Sequence, residues 1–255
     1  CFSDITKKLN ANKIASNYIK QKIINIVQDK EIAKKLTDFG HPFTSKRPTL
    51  NTDYFETFNR KNVRLIDLKE NPIVKITKNG IKTKNEDLKF DKIIFATGYD
   101  ALSGPILSLN LTGRNKIKLE NYWKNGPTTY LGLMIPNFPN FFIISGPGSP
   151  SVLTNVPAQI QQHVEWISEF IKYLEKSNSL SVEPEAKEAE NWVKKINTLA
   201  NKSLFMKAKN SWYKGDNIPG KPKTFIPYPA GLPQYREICN KVRKKMYKGF
   251  NISLK

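Results

Sequence analysis

Three stretches of this sequence hold residues whose types and spacing could do chemistry. The first is Lys46-Arg47, adjacent cations in the run His41-Pro-Phe-Thr-Ser-Lys-Arg-Pro48. A flexible ammonium beside a planar guanidinium suits the clamping of phosphate or carboxylate. Two solvated charges on a surface loop are the commoner arrangement, and spacing alone does not choose between them. The second is Phe90-Asp-Lys-Ile-Ile-Phe-Ala-Thr-Gly98, an apolar run that reads as a strand ending in a small-residue turn, followed by Tyr99-Asp100. Turns at the carboxyl ends of strands are where open α/β sheets bind ligands. The third is Phe141-Phe-Ile-Ile144, which reads as a strand buried on both faces, then Ser145-Gly-Pro-Gly-Ser-Pro150 and a helix with Asn155 as N-cap and Pro157 near its start. A strand, a glycine-proline turn and a capped helix would aim free backbone N–H groups at one point, a ready site for an electron-rich ligand group.

Other chemistry is excluded by what the sequence lacks. Gly146-x-Gly148-x-x-Ser151 imitates a dinucleotide fingerprint, but its third glycine is a serine and Pro147 and Pro150 remove donors. No phosphate-binding P-loop occurs. His41, His163, Cys1 and Cys239 have no partners at metal-ligand spacing, so no metal site is expected. His163 lies one residue from the apolar face of its helix, and a structural histidine is the stronger reading there. No nucleophile–base pair can be assembled.

The elements that must position these residues follow from periodicity. Residues 10–28 are amphipathic at helical spacing, and Asp29 caps a short helix over Glu31–Leu36. Residues 50–98 are β-rich, with Val63–Ile66 a strand and Asn79-Gly80 a hairpin turn between Ile73–Ile76 and Ile81–Thr83. Residues 101–140 are turn-rich around Trp123, Tyr130 and Met134. The helix after Asn155 carries Val156, Ile160, Val164, Ile167, Ile171 and Leu174 at spacings of three and four, which predicts one buried face. Further helices are expected over Glu185–Leu204 and Gln234–Tyr247. Between them, Trp212 in a glycine- and proline-rich loop either caps a ligand pocket or, the commoner case, fills a core.

Composition sets the outer bounds. The 255 residues are 39% hydrophobic and 11% aromatic, enough for a folded chain with a real core. No run approaches a membrane span, and two cysteines make a cytoplasmic reading the default. The formal charge of +20 invites nucleic acid as a partner. Against that, only six of the 42 basic residues are arginine and the lysines are spread along the whole chain. No nucleic acid and no membrane partner is therefore expected. The chain begins at Cys1, not Met, which suggests either processing or a piece of something longer.

Taken in order, Lys46-Arg47-Pro48, Asp53-Tyr-Phe-Glu-Thr-Phe-Asn-Arg60, Phe95-Ala-Thr-Gly-Tyr-Asp100, Tyr130-Leu-Gly-Leu133, Gly146-Pro-Gly-Ser-Pro150-Ser, His163-Val-Glu-Trp166, Ser211-Trp212-Tyr-x-Gly-x-Asn217-Ile-Pro-Gly-Lys-Pro222 and Tyr235-Arg236 resemble the carboxyl half of Baeyer–Villiger monooxygenases. The resemblance implies an α/β flavoprotein with two Rossmann-like dinucleotide-binding domains and a helical insertion, its amino-terminal half missing. Residues 1–44 would end the helical insertion, 45–97 complete the NADPH domain and 98–255 complete the FAD domain. FAD and NADP are the implied cofactors, and a ketone and O2 the substrates. Arg47 matches the active-site arginine, whose permanent charge suits an anionic intermediate. Lys46 matches a lysine at the NADP ribose and phosphate, and Trp212 a tryptophan over the nicotinamide ribose. Thr97, Gly98 and Asp100 fall in a cofactor-binding turn. Asn155 and Val156 match backbone donors beside the flavin ring, where a positive helix end favours reduced flavin. Ser151, Val152, Leu153 and Thr154 match a bulged loop lining the substrate pocket. Thr44 departs from the pattern, standing where glycine is usual, which is expected to shift the loop that carries Arg47. Pro227, Pro229 and Ala230 replace residues of a strand.

The leading expectation is thus a monooxygenase fragment inactive alone. A split enzyme, with the amino-terminal half as a separate chain, is the second, and it predicts an exposed apolar surface. N- or S-oxygenation and a basic binding module without catalysis are the remaining alternatives.

Overall fold

The computed structural model describes residues 4–254, so Cys1 lies outside the described residues. The chain divides into two compact units, one running to Tyr99 and one starting at Asp100.

In the first unit, α1 (Leu9–Ile26) and α2 (Lys30–Thr37) pack as a pair. The Asp29 side chain accepts hydrogen bonds from the N–H groups of Glu31 and Ile32, which starts α2 where the sequence predicts. Ile23, Val27 and Ala33 form the small core, closed by Phe55 from a single helical turn, α3 (Tyr54–Thr57), and by Phe58, its C-cap. An antiparallel meander follows, of β1 (Ile73–Thr77), β2 (Gly80–Thr83) and β3 (Asp87–Lys89), with Asn79-Gly80 at the first turn as expected. The strands expected at Val63–Ile66 and Phe90–Phe95 enter no ladder. Ile94 and Phe95 stand 91% and 64% exposed. An extended segment becomes a strand only when a neighbouring backbone takes its N–H and C=O groups in succession, and beyond the Phe90 N–H bond to the Asn79 carbonyl these segments enter no such run among the described residues.

The second unit opens with two short helices, α4 (Gly104–Leu107) and α5 (Leu119–Tyr122), in a turn-rich layer. That layer has its own core of Leu119, Trp123, Ile135, Phe138 and Ile143. The long helix α6 (Val156–Lys176) leads through a turn to β4 (Ser179–Pro184), then α7 (Ala186–Asn201), α8 (Leu232–Lys244) and β5 (Phe250–Leu254), which pairs antiparallel with β4. The main core gathers Trp166, Phe170, Trp192, Tyr228, Tyr235, Tyr247 and Phe250, with Phe170 stacked on Tyr247 at 3.9 Å and Trp192 on Tyr228 at 5.0 Å. Cys239 sits inside it, and burial pushes its thiol up to about 12.

Two expectations for this unit are corrected. Phe141–Ile144 is not a doubly buried strand: it makes one bridge, Phe142 to Met134, and Ile144 is exposed. The predicted face of α6 is buried only in part, through Ile167 and the half-buried Val156 and Leu174. The helix buries Gln159, Gln162, His163, Trp166, Ile167 and Phe170, while Ile160, Val164 and Ile171 remain at the surface. Hydrogen bonds at both His163 nitrogens and from the Gln159 Nε2 offset part of the cost of burying that face, and its aromatic rings bring more area than the aliphatic stripe.

Among the described residues the ladders are antiparallel, and helices and strands mix in the α/β manner. No helix among them is long and apolar enough to cross a membrane.

Candidate functional site

In the second unit the site is built from the turn Ser145–Pro150 and the start of α6. The turn packs backbone against backbone on the Leu131–Leu133 loop. A Cβ on Gly132, whose φ is +71°, would come within 2.4 Å of the Ser149 nitrogen, and one on Gly146 within 2.6 Å of the Gly132 carbonyl. Only glycine fits either place.

Side chains brace the turn from behind. Thr129 Oγ1 donates to the Pro147 carbonyl, Trp192 Nε1 to that of Gly148 at 3.0 Å, and Ser149 Oγ to that of Gly146 at 2.7 Å. The buried amide Nε2 of Gln159 reaches both Ser145 Oγ and Ser149 Oγ. His163, fully buried, closes the brace. Its Nδ1 accepts from the Ser145 N–H at 3.0 Å and its Nε2 lies 3.0 Å from Tyr235 Oη, whose proton goes to the Leu131 carbonyl. With Nδ1 and Oη so committed, the ring is the neutral Nε2–H tautomer donating to Tyr235. Burial holds its pKa down to about 4.

These bonds overturn the expectation of an anion cradle in the turn. The N–H of Ser145 goes to His163, that of Gly148 to the Ile226 carbonyl and that of Ser149 to the Gly146 carbonyl. What remains is the end of α6. Asn155 caps it by accepting from the Ala158 N–H, and Pro157 has no N–H, so the Val156 N–H is left uncommitted at the positive end of a 21-residue helix. Beside it, Ser151–Leu153 forms a tight turn that puts Ser151 at φ +48° and packs Val152 and Leu153 against the main core, with Thr154 closing onto the Ser151 carbonyl. Ser151–Thr154, Asn155 and Val156 are thus one contiguous segment, with Ser151 buried beneath its surface.

Asp100 and Trp212 belong to the same unit. Asp100 forms an ion pair with Lys221, which ties the segment after the Ala96-Thr97-Gly98 turn to the loop that carries Trp212. Trp212 is half-buried, edge-on to Tyr213 at 4.7 Å, and its loop is held by the Lys214–Asp216 pair at 2.9 Å. The Asp216 carboxyl is lowered despite its desolvation, by hydrogen bonds from Lys214 and the Ser211 N–H.

Lys46, Arg47, Thr97 and Gly98 lie in the first unit. Gly98 has φ +88° with open space where a side chain would stand. The loop carrying Lys46 and Arg47 hangs on Asn12, a buried amide of α1 whose Nδ2 donates to the Phe43 carbonyl at 2.6 Å and whose Oδ1 accepts from the Phe43 N–H. Asn12 was not among the candidate residues, although a lone amide on the buried face of a helix is a readable signal. Nor was the His163–Tyr235 pair. Thr44 keeps a left-handed backbone at φ +64°, the conformation glycine takes freely, and its Oγ1 is buried without a partner. Thr44→Gly is therefore expected to raise stability by about 1 kcal/mol, strain relief exceeding glycine's entropic cost, measurable as a shifted urea midpoint. Among the described residues no group of His, Cys, Asp or Glu could hold a metal ion.

No family model matches the sequence. Individual proteins do. The chain is 42% identical to cyclohexanone 1,2-monooxygenase of Acinetobacter over 254 residues, 99% of this chain and 46% of that one. It is 41% identical to a Baeyer–Villiger monooxygenase of Pseudooceanicola batsensis over 96% of this chain and 44% of the relative. A phenazine N-monooxygenase of Lysobacter antibioticus matches at 38% over 98% and 45%. The crystal structure of OTEMO with FAD and NADP superposes with a TM-score of 0.94 at 32% identity, over 99% of this chain and 46% of that one. Along nearly its whole length the chain is homologous to Baeyer–Villiger monooxygenases. It spans about half the length of the curated relatives it matches. The turn-and-helix surface built above is therefore a piece of the flavoprotein monooxygenase fold.

Proposed function

We propose that this chain carries part of the active site of a flavin-dependent Baeyer–Villiger monooxygenase, which inserts one oxygen of O2 beside a ketone. The observation that carries the proposal is the collinear match to cyclohexanone monooxygenase over 254 residues. FAD and NADP fit the residues present: an uncommitted N–H at a capped helix start suits the electron-rich edge of a flavin ring, and the open turn at Gly98 leaves room for a bound group. When bound and reduced by NADPH, the flavin supplies the chemistry that activates O2.

The chain's own residues then bind and orient. Val156 N–H and the α6 end steady negative charge on the flavin ring, with Asn155 fixing the helix start. Arg47 supplies a fixed positive charge toward the anionic stages of the reaction, and Lys46 binds NADP phosphate. Trp212 covers the nicotinamide ribose, Thr97, Gly98 and Asp100 border the cofactor, and Ser151–Thr154 line the ketone. In this scheme Asp100 acts through its pairing with Lys221.

A chimera joining residues 1–255 behind the unmatched part of the Acinetobacter enzyme tests the reading. It is expected to retain FAD and form ester from a cyclic ketone with NADPH. Arg47→Ala is expected to lower ester formation about 100-fold with flavin retention unchanged. A chimera that holds FAD yet makes no ester overturns the proposal. The phenazine N-monooxygenase match favours N-oxygenation as the second reading, and N-oxide formation in place of ester would select it.

A further inference from the structure

The loop ahead of Arg47 is irregular yet closely held, and a single buried amide grips it. Asn12, in the first turn of α1, accepts from the Phe43 N–H with Oδ1 at 3.0 Å and donates from Nδ2 to the Phe43 carbonyl at 2.6 Å. Its second amide hydrogen goes to the Ile5 carbonyl at 2.9 Å. One side chain thus exchanges a donor and an acceptor with one backbone residue, as two residues do across an antiparallel ladder. Because peptide units are planar, that grip orients the planes on both sides of Phe43. Thr44 follows at φ +64°. Ser45, buried, then closes the turn, its N–H and Oγ both donating to the Pro42 carbonyl at 3.1 and 2.6 Å. Lys46 and Arg47 leave directly from this turn, and Pro48 restricts the backbone of Arg47 from the other side.

We propose that Asn12 is a positioning residue for Arg47: through Phe43 it fixes the loop from which the guanidinium extends. Asparagine is a weaker helix former than alanine or leucine, so its place in α1 is explained by these bonds and not by helix stability. It also stands outside the apolar core of its unit, Ile23, Val27 and Ala33, so what the clamp determines is the shape of one loop. No other side chain supplies the same grip. Aspartate has no donors for the two carbonyls, glutamine is a methylene longer, and alanine has neither donor nor acceptor. The inference rests on the reading of Arg47 given above and adds the residue that aims it.

The test uses the chimera described above, at saturating NADPH and ketone. Asn12→Ala is expected to lower kcat for ester formation about tenfold with FAD retained, because a reacting group misplaced by about 1 Å loses much of its effect. In an Arg47→Ala background the same substitution is expected to cost less than about twofold, since the group it positions is gone. A merely structural role would cost the same factor in both backgrounds. That result, or no loss in the parent, overturns the proposal. Should Asn12→Ala not retain FAD, Ser45→Ala removes one hydroxyl of the same turn and repeats the cycle, with a smaller loss expected that vanishes beside Arg47→Ala, and equal losses again overturning the proposal. Amide hydrogen exchange separates the clamp from the chemistry. Exchange at Phe43 and Ser45 is expected to quicken about tenfold or more in Asn12→Ala, and unchanged exchange overturns the proposal whatever the kinetics show. Quickened exchange beside an Arg47→Ala chimera as active as its parent would instead sink the catalytic reading of Arg47 and leave the clamp standing.

Discussion

Replacing Trp166 with alanine is expected to lower the unfolding free energy by about 3–5 kcal/mol. The indole is 2% exposed and meets Phe170, Tyr247 and Phe250 at centroid distances of 5.3, 5.2 and 6.0 Å. It also donates Nε1–H to the Cys239 carbonyl at 2.9 Å, so it joins α6 to α8 and β5 at once. Domains are stable by only about 5–15 kcal/mol, which makes this loss a large share of the total. Trp166→Phe keeps most of the ring contacts and gives up the donor, so about 1 kcal/mol plus a smaller cavity cost should be lost. Urea unfolding followed by circular dichroism reads both. If the alanine variant unfolds within 1 kcal/mol of wild type, the aromatic cluster does not organise the second unit.

The second large effect is on acid stability. His163 titrates near 6.5 in an unfolded chain and near 4 when buried. Between those values the unfolded state takes up a proton that the folded state refuses. Stability is therefore fully present above about pH 6.5 and falls as the pH drops through the window, by roughly 3 kcal/mol at pH 4. Carboxylates titrate in the same range, so the comparison that isolates the ring is His163→Gln. Glutamine can accept from the Ser145 N–H and donate to Tyr235 Oη without titrating. The wild type should lose about 3 kcal/mol more than the variant between pH 7 and pH 4. Parallel curves would mean that the imidazole is not held neutral.

Much of the local structure was legible in the sequence. Asp29, Asn79-Gly80 and Asn155 act through hydrogen bonds or turn geometry within four residues, and each does what its type and position suggest. The buried face of α6 was not legible, for a physical reason. Periodicity assigns burial by aliphatic character, yet Gln159 and His163 earn burial through partners far away in sequence, Ser149 and Tyr235. Residues 63–66 and 90–95 likewise read as strands from composition, but a ladder depends on a neighbour that no local pattern supplies. For the candidate site, the contiguity of Ser151–Val156 could be read directly. The inward commitment of the turn's N–H groups could not, because it depends on Ile226 and His163.

Cys239 gives the molecule a clock. Its thiol is fully enclosed and, with a pKa near 12, is almost never a thiolate at neutral pH. A disulfide reagent can therefore reach it only in molecules whose α6–α8 core has opened, and the labelling rate at that cysteine, followed by the mass of its peptide, counts openings of the whole unit. Any ligand or partner that closes over the second unit should slow the count in proportion to its grip, without a tag or a dye.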